Sequence, residues 1–166
     1  MENQHIRILS VSPIEQDHDF LERSFTDEAA WTQYTKSKPE LYRSATIASA
    51  LRILRETEIP IILCEQDVYG TWREMLERIS LMDHPPYLVV TARLADEYLW
   101  AEALNVGAYD VLSKPFNRTE VIRIVSLAWL HWEERPEPGM VRYRPAVSCT
   151  RPFHNTPVPL QYATAE

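Results

Sequence analysis

Short runs dominated by apolar residues recur along this chain at intervals that a helix would fill, and this alternation most narrows the folds open to it. Ile6 to Val11 (IRILSV), Ile59 to Cys64 (IPIILC) and Tyr87 to Val90 (YLVV) have the near-continuous apolar character of strands buried on both faces. Asp110 to Ser113 follows as a further strand, and the segments between carry helical spacing. From Glu15 to Phe25, Phe20, Leu21 and Phe25 mark one helix. Thr46 is placed to cap another that turns Ile47, Ala50, Leu51 and Leu54 inward. Trp72, Met75, Leu76 and Ile79 mark a third. Leu99, Ala103 and Leu104 mark a fourth, stopped by Gly107 as a left-handed helix end. Asn117 and Glu120 form an N-x-x-E start for the last, with Val121, Ile124, Val125, Ala128 and Leu130.

Residues 26–40 fit the alternation least. Trp31-Thr-Gln-Tyr34 reads as a strand, and Ser37-Lys-Pro-Glu40 has the form of a capping box. The reading adopted is a loop insertion followed by a short strand at Leu41 to Ala45. Five strands alternating with helices then predict a doubly wound α/β domain, a parallel sheet covered on both faces.

The functional crevice of such a sheet lies at the carboxyl ends of its strands. Ser12, Pro13, Glu65, Thr91 and Lys114 fall there. Glu65 draws the question, because a long carboxylate stands where a buried strand emerges.

Composition removes several alternatives. The net charge of −7 argues against a nucleic-acid surface, which needs clustered Lys and Arg. No run of about 18 apolar residues is present to span a membrane. The start, MENQHIRILSV, is unlike a secretory signal. Cys64 on a strand and Cys149 in a tail are poorly placed for a structural disulfide. These features predict a cytoplasmic protein. His5, His18, His84, His131 and His154 show no i, i+4 pair or Cys-His spacing, so no zinc site is expected. With three glycines the chain has no Walker loop, G-x-G-x-x-G or G-x-S-x-G, the usual machinery of nucleotide-binding and hydrolytic proteins. No cofactor is expected. Six of the 12 prolines lie in residues 136–166, without apolar periodicity. This divides the chain into a domain at 1–135 and a Pro-rich tail at 136–166, extended or disordered in isolation.

The VVTA strand end (Val89 to Ala92) and the GAYDVLSKPF segment (Gly107 to Phe116), set within five βα units, resemble the receiver domain of bacterial response regulators. The resemblance covers about residues 5–132. It implies a CheY-like, flavodoxin-like sheet of order 2-1-3-4-5. It also implies a magnesium ion held by an acidic pair after the first strand, and a phosphoryl-accepting Asp after the third. A Ser or Thr after the fourth strand and a Lys after the fifth would hold the phosphate. Thr91, Lys114 and Pro115 match. Ser12 and Pro13 replace the acidic pair, Glu65 replaces the acceptor, and Val111 replaces the aromatic that rotates on the fifth strand.

These departures have physical consequences. Mg²⁺ takes near-octahedral oxygen coordination, including carboxylates that Ser12 and Pro13 lack. Phosphoryl transfer rests on positioning and on charge neutralisation by metal. The extra methylene of Glu65 moves its oxygens by roughly 1 Å, a displacement that can cost on the order of 10²-fold. The expectation is therefore a degenerate receiver-like domain in two-component phosphorelay signalling. It would be no enzyme, would carry no phosphate, and would act by protein contact, with Glu65 facing Lys114 as a partial imitation of a phosphoaspartate. The opposing reading makes Glu65 and Lys114 a partly exposed ion pair of little energetic consequence, and Thr91 a loop cap. Two rival functions remain: a working phosphoacceptor using Asp67 or Glu65, and a small α/β enzyme using the same crevice.

Tyr98, Trp100, Trp129 and Trp132, on the last two helices, form a candidate interface. The resemblance implies docking of a sensor kinase, another regulator or a second copy on the face of the fourth helix, fifth strand and fifth helix. The opposing reading packs these aromatics against the sheet or tail.

Overall fold

A computed structural model describes residues 5–136. The strands are β1 (His5–Val11), β2 (Lys38–Ser44), β3 (Ile61–Glu65), β4 (Tyr87–Ala92) and β5 (Asp110–Ser113). The helices are α1 (Glu15–Phe25), α2 (Glu28–Thr32), α3 (Ile47–Glu56), α4 (Trp72–Ser80), α5 (Glu97–Val106) and α6 (Arg118–Glu133). All four strand pairings are parallel, in the order β2-β1-β3-β4-β5. This is the doubly wound sheet that the alternating pattern predicts.

Two cores sandwich the sheet, and the two-residue period of the strands decides which side chain joins which. Leu9, Val11, Ile62, Cys64, Val90 and Val111 face α3, α4 and α5, meeting Ala50, Met75 and Leu99. Ile6, Ile8, Ile61, Leu63, Val89 and Leu112 face α1, α2 and α6, meeting Leu21, Trp31 and Val125. Burying side chains of this size contributes about 1.5–3 kcal/mol each. The helices begin as the sequence predicts. Thr46 accepts a hydrogen bond from the Ser49 N–H (3.2 Å) and Asn117 from the Glu120 N–H (3.2 Å). Gly107 closes α5 with φ +105°, a conformation that favours a residue without Cβ.

Segment 26–40 differs from its expected form. It holds α2, begun by Asp27, whose carboxylate accepts from the Ala30 N–H (3.3 Å). Trp31 lies in this helix rather than in a loop insertion. It packs edge-on against Phe25 with ring centroids 5.4 Å apart, and its indole N–H donates to the Ser24 carbonyl (3.2 Å). Tertiary burial of Trp31 offsets the nucleation cost that a five-residue helix could not meet alone.

The second strand also begins earlier than expected, at Lys38 rather than Leu41, and ends before Ala45. Its seven residues run in register with the whole of β1, from His5 opposite Lys38 to Val11 opposite Ser44. The capping-box pattern at Ser37 to Glu40 starts no helix, because the backbone pairs with β1 instead. Pro39 is tolerated because β2 is an edge strand, where one row of N–H groups needs no ladder partner. The Pro-rich tail, apart from Pro136, lies outside the described residues, as do Cys149 and His154. Among the described residues no helix is long and apolar enough to cross a membrane.

Candidate functional site

The same strand parity aims the crevice. Glu65 continues the Ile61, Leu63 face of β3, and Thr91 continues the Val89 face of β4, both toward α1 and α6. Glu65 and Thr91 are also register partners, so their side chains lie side by side. The ladder extends past the strand ends. Gln66 N–H donates to the Thr91 carbonyl (2.8 Å), and Lys114 N–H to the Ala92 carbonyl (2.8 Å). This backbone bond fixes where the Lys114 side chain starts.

From there the Lys114 ammonium reaches two carboxylates, Oε2 of Glu65 and Oδ2 of Asp17. The Thr91 hydroxyl donates to the same Oε2 of Glu65 (3.1 Å). The Ser12 hydroxyl donates to the same Oδ2 of Asp17 (2.7 Å) and accepts from the Ile14 N–H (3.1 Å). Glu65 is 4% exposed and the Lys114 side chain 6%, which excludes the partly exposed ion pair considered from sequence. A buried carboxylate stays charged only beside an opposite charge and donors. Each carboxylate here has the ammonium and one hydroxyl.

Asp17 is the residue that sequence reading missed. It lies in the first turn of α1, where a carboxylate also favours the helix dipole. Its proximity depends on how α1 docks. Below it His18 is buried, with Nε2 3.0 Å from the Ser12 carbonyl and Nδ1 3.0 Å from the Ser10 hydroxyl. A carbonyl can only accept, so a neutral ring carries its proton on Nε2 and accepts from Ser10 at Nδ1. His18 thereby pins the β1–α1 turn that carries Ser12 and Asp17.

The remaining predicted residues separate. Pro13 is exposed beside Ser12, and Val111 is fully buried in the core against α3–α5. Pro115 follows Lys114 through a cis peptide bond. Asp67 is exposed in the turn after β3, and the Lys114 ammonium pairs with Glu65 and Asp17. Beside the crevice opens a cleft of about 590 Å³ lined in part by Gln16, Asp17, Phe20, Arg93 and Phe116. The Phe20 and Phe116 rings lie 5.7 Å apart.

The candidate interface also needs correction. Trp129 is 4% exposed within the α1/α2/α6 core, and Trp100 and Trp132 are half-buried against the two cores. Arg135 covers Trp132 and Tyr87, its guanidinium 4.7 and 3.8 Å from the ring centres. Only Tyr98 of the four stands out, 87% exposed; Leu94 before α5, Leu104 and Val106 on α5, and Leu127 and Leu130 on α6 are exposed as well.

A scan against protein-family models finds no match, and a search of curated proteins finds none either. Solved structures match well. The chain is similar to the signal receiver domain of an HD domain-containing protein from Pseudomonas fluorescens Pf-5, at TM-score 0.66 and 20% identity, over 80% of this chain and 100% of that one. It is also similar to the response regulatory domain of mrkE from Klebsiella pneumoniae, at TM-score 0.62 and 17% identity, over 78% and 99%. A third match is the CheY-like receiver domain protein from Methanospirillum hungatei JF-1, at TM-score 0.63 and 19% identity, over 76% and 95%. The chain has the response-regulator receiver fold.

The magnesium ion that this fold family implies does not fit the residues present. Ser12 and Pro13 supply no carboxylate, and the ammonium of Lys114 already bridges Asp17 and Glu65. Among the described residues no three His, Cys, Asp or Glu side chains gather as metal ligands.

Two outcomes are expected. Lys114→Met leaves both carboxylates buried without their counter-charge and lowers stability by about 3–5 kcal/mol, whereas Asp17→Asn keeps a one-to-one pair and costs less. Urea unfolding monitored by circular dichroism measures both, and equal small losses would contradict the assignment. Next to Glu65, burial and then the neighbouring carboxylate push the Cys64 thiol from 9.0 up to about 12. Its folded form therefore holds a proton that the unfolded chain releases, so stability falls as pH rises from 9 toward about 12. In a Cys149→Ser background, iodoacetamide at pH 8 should label Cys64 only after unfolding; rapid labelling of the native protein would refute this.

Proposed function

We propose that this chain is a receiver-like domain of two-component signalling that works through protein contact and does not accept a phosphoryl group. The observation that carries the reading is the buried bridge of Lys114 to Glu65 and Asp17. An acceptor carboxylate must present a free oxygen in line with the incoming phosphorus, beside a metal that neutralises the developing charge. Glu65 has Oε2 engaged by an ammonium and a hydroxyl, and it is that ammonium, not a metal, that stands beside it. Glu65 thus takes the place that the phosphoryl group's negative charge has in the resembled family, with Lys114 and Thr91 as its clamp. With Val111 buried in the position of the rotating aromatic, the domain stays near one conformation.

Its output is binding to a sensor kinase, another regulator or a second copy. The favoured surface is the face of α5, β5 and α6, which corresponds to the fourth helix, fifth strand and fifth helix of the sequence reading. Tyr98, Leu94, Leu127 and Leu130 are its exposed apolar anchors, replacing the buried tryptophan; interfaces concentrate binding energy in a few such side chains. The setting is cytoplasmic, and the domain is not an enzyme.

Intact-mass measurement after incubation with acetyl phosphate and Mg²⁺ should show no adduct. A stoichiometric gain of one phosphate, abolished by Asp67→Ala or Glu65→Ala, would reject the reading in favour of a working phosphoacceptor. Glu65→Gln keeps the shape of the side chain and removes its charge. It should shift the self-association constant, or the affinity for a partner captured from the native host, by roughly tenfold, about 1.4 kcal/mol. Sedimentation equilibrium or calorimetry with no change in either constant would leave Glu65 a purely structural residue.

A further inference from the structure

The residues of the crevice and the magnesium ion implied by the fold disagree in a specific way. Asp17 Oδ2 and Glu65 Oε2 converge on one point, and the Lys114 ammonium occupies that point. The neighbouring hydroxyls are committed to the same pair: Ser12 donates to Asp17 and Thr91 to Glu65. We propose that the Lys114 ammonium is the resident cation of this site, holding the place between α1 and β3 that a divalent ion would need. The charge state of the crevice is then set by the chain itself and is indifferent to divalent ions.

Position and ligand chemistry both support this. Two carboxylates and one ammonium leave the cluster with one excess negative charge, so what keeps a second cation out is the place the ammonium holds and not neutrality. A divalent ion added beside the ammonium would meet strong repulsion at contact distance, in surroundings where water screens little. It would also have to share Oδ2 and Oε2 with the ammonium, leaving it the second oxygen of each carboxylate, short of the several oxygen ligands that a hard cation of this kind needs. The ammonium, a compact point charge with three donors, suits two separated carboxylate oxygens. Lys114 therefore excludes the ion by occupying its position. Removing the ammonium should expose a divalent-ion site built from Asp17 and Glu65, completed by water and the Ser12 hydroxyl. This deepens the proposed function and rests on it only in taking Glu65 as the charged centre of the crevice. The test needs no partner and no phosphoryl donor, so its failure is distinguishable from failure of the signalling reading.

The test is titration of the full chain with Mn²⁺, read by the electron paramagnetic resonance signal of the free ion. Lys114→Met should bind one Mn²⁺ at least tenfold more tightly than the wild type, and Asp17→Asn in the same variant should abolish the gain. One Mn²⁺ bound by the wild type and lost on Asp17→Asn would overturn the proposal. So would a Lys114→Met protein, folded by circular dichroism, that binds no more tightly than the wild type. If Lys114→Met does not fold, the wild type and Asp17→Asn decide alone: identical Mn²⁺ isotherms support the resident cation, and an Asp17-dependent site refutes it.

Discussion

A single ammonium group, that of Lys114, joins three separate parts of this molecule. It starts from the end of β5, whose backbone is held by Ala92 of β4, and ends between Glu65 of β3 and Asp17 of α1. Burial gives this contact its weight. Desolvating three charges costs several kcal/mol per ion, so the cluster adds little net stability compared with an apolar packing of the same volume. What it fixes is position. With Lys114 removed, both carboxylates are left buried without their counter-charge, so the three chain segments tolerate only arrangements that keep the ammonium between them.

The rest of the top edge follows from that constraint. Ser12 turns from β1 to orient Asp17, and His18 holds the Ser12 carbonyl from beneath. Thr91 is in register with Glu65 and needs no loop to reach it. Within the receiver fold, the crevice brings two carboxylates onto one ammonium, each also held by a hydroxyl. Under the proposed function, a crevice whose carboxylates are held by its own side chains needs no metal or phosphoryl group, and the exposed apolar residues on α5 and α6 become the surface of interest.

Much of this was legible in the sequence. Runs such as IPIILC and YLVV specify buried parallel strands, and Thr46, Gly107 and Asn117 mark helix ends through local chemistry that tertiary context did not override. Glu65, Thr91 and Lys114 were placed together because strand ends in such a sheet share one edge. Asp17 was not found, because its role depends on the docking angle of α1, which spacing along a helix does not give. A signal was nevertheless present: counting by twos from Ile61 puts Glu65 on the face that receives α1, and Asp17 lies in the turn of that helix nearest the edge. Segment 26–40 was misread for a related reason. Trp31 forms a helix because Phe25 and α6 bury it, and β2 starts early because β1 offers seven residues of ladder. Trp129 reads equally as surface or core from sequence because its helix is apolar on more than one side, and only packing shows which side is covered.

The central claim is that the Lys114 ammonium already fills the cation position of the crevice. Two-dimensional ¹⁵N–¹H NMR of the wild type, recorded with and without Mg²⁺ and beryllofluoride, tests it most directly. The account predicts superimposable amide signals for Ser12, Glu65, Gln66, Thr91 and Lys114. Saturable shifts at those residues, spreading into α5 and β5, would show a site that still responds to a phosphoryl analogue and would contradict it.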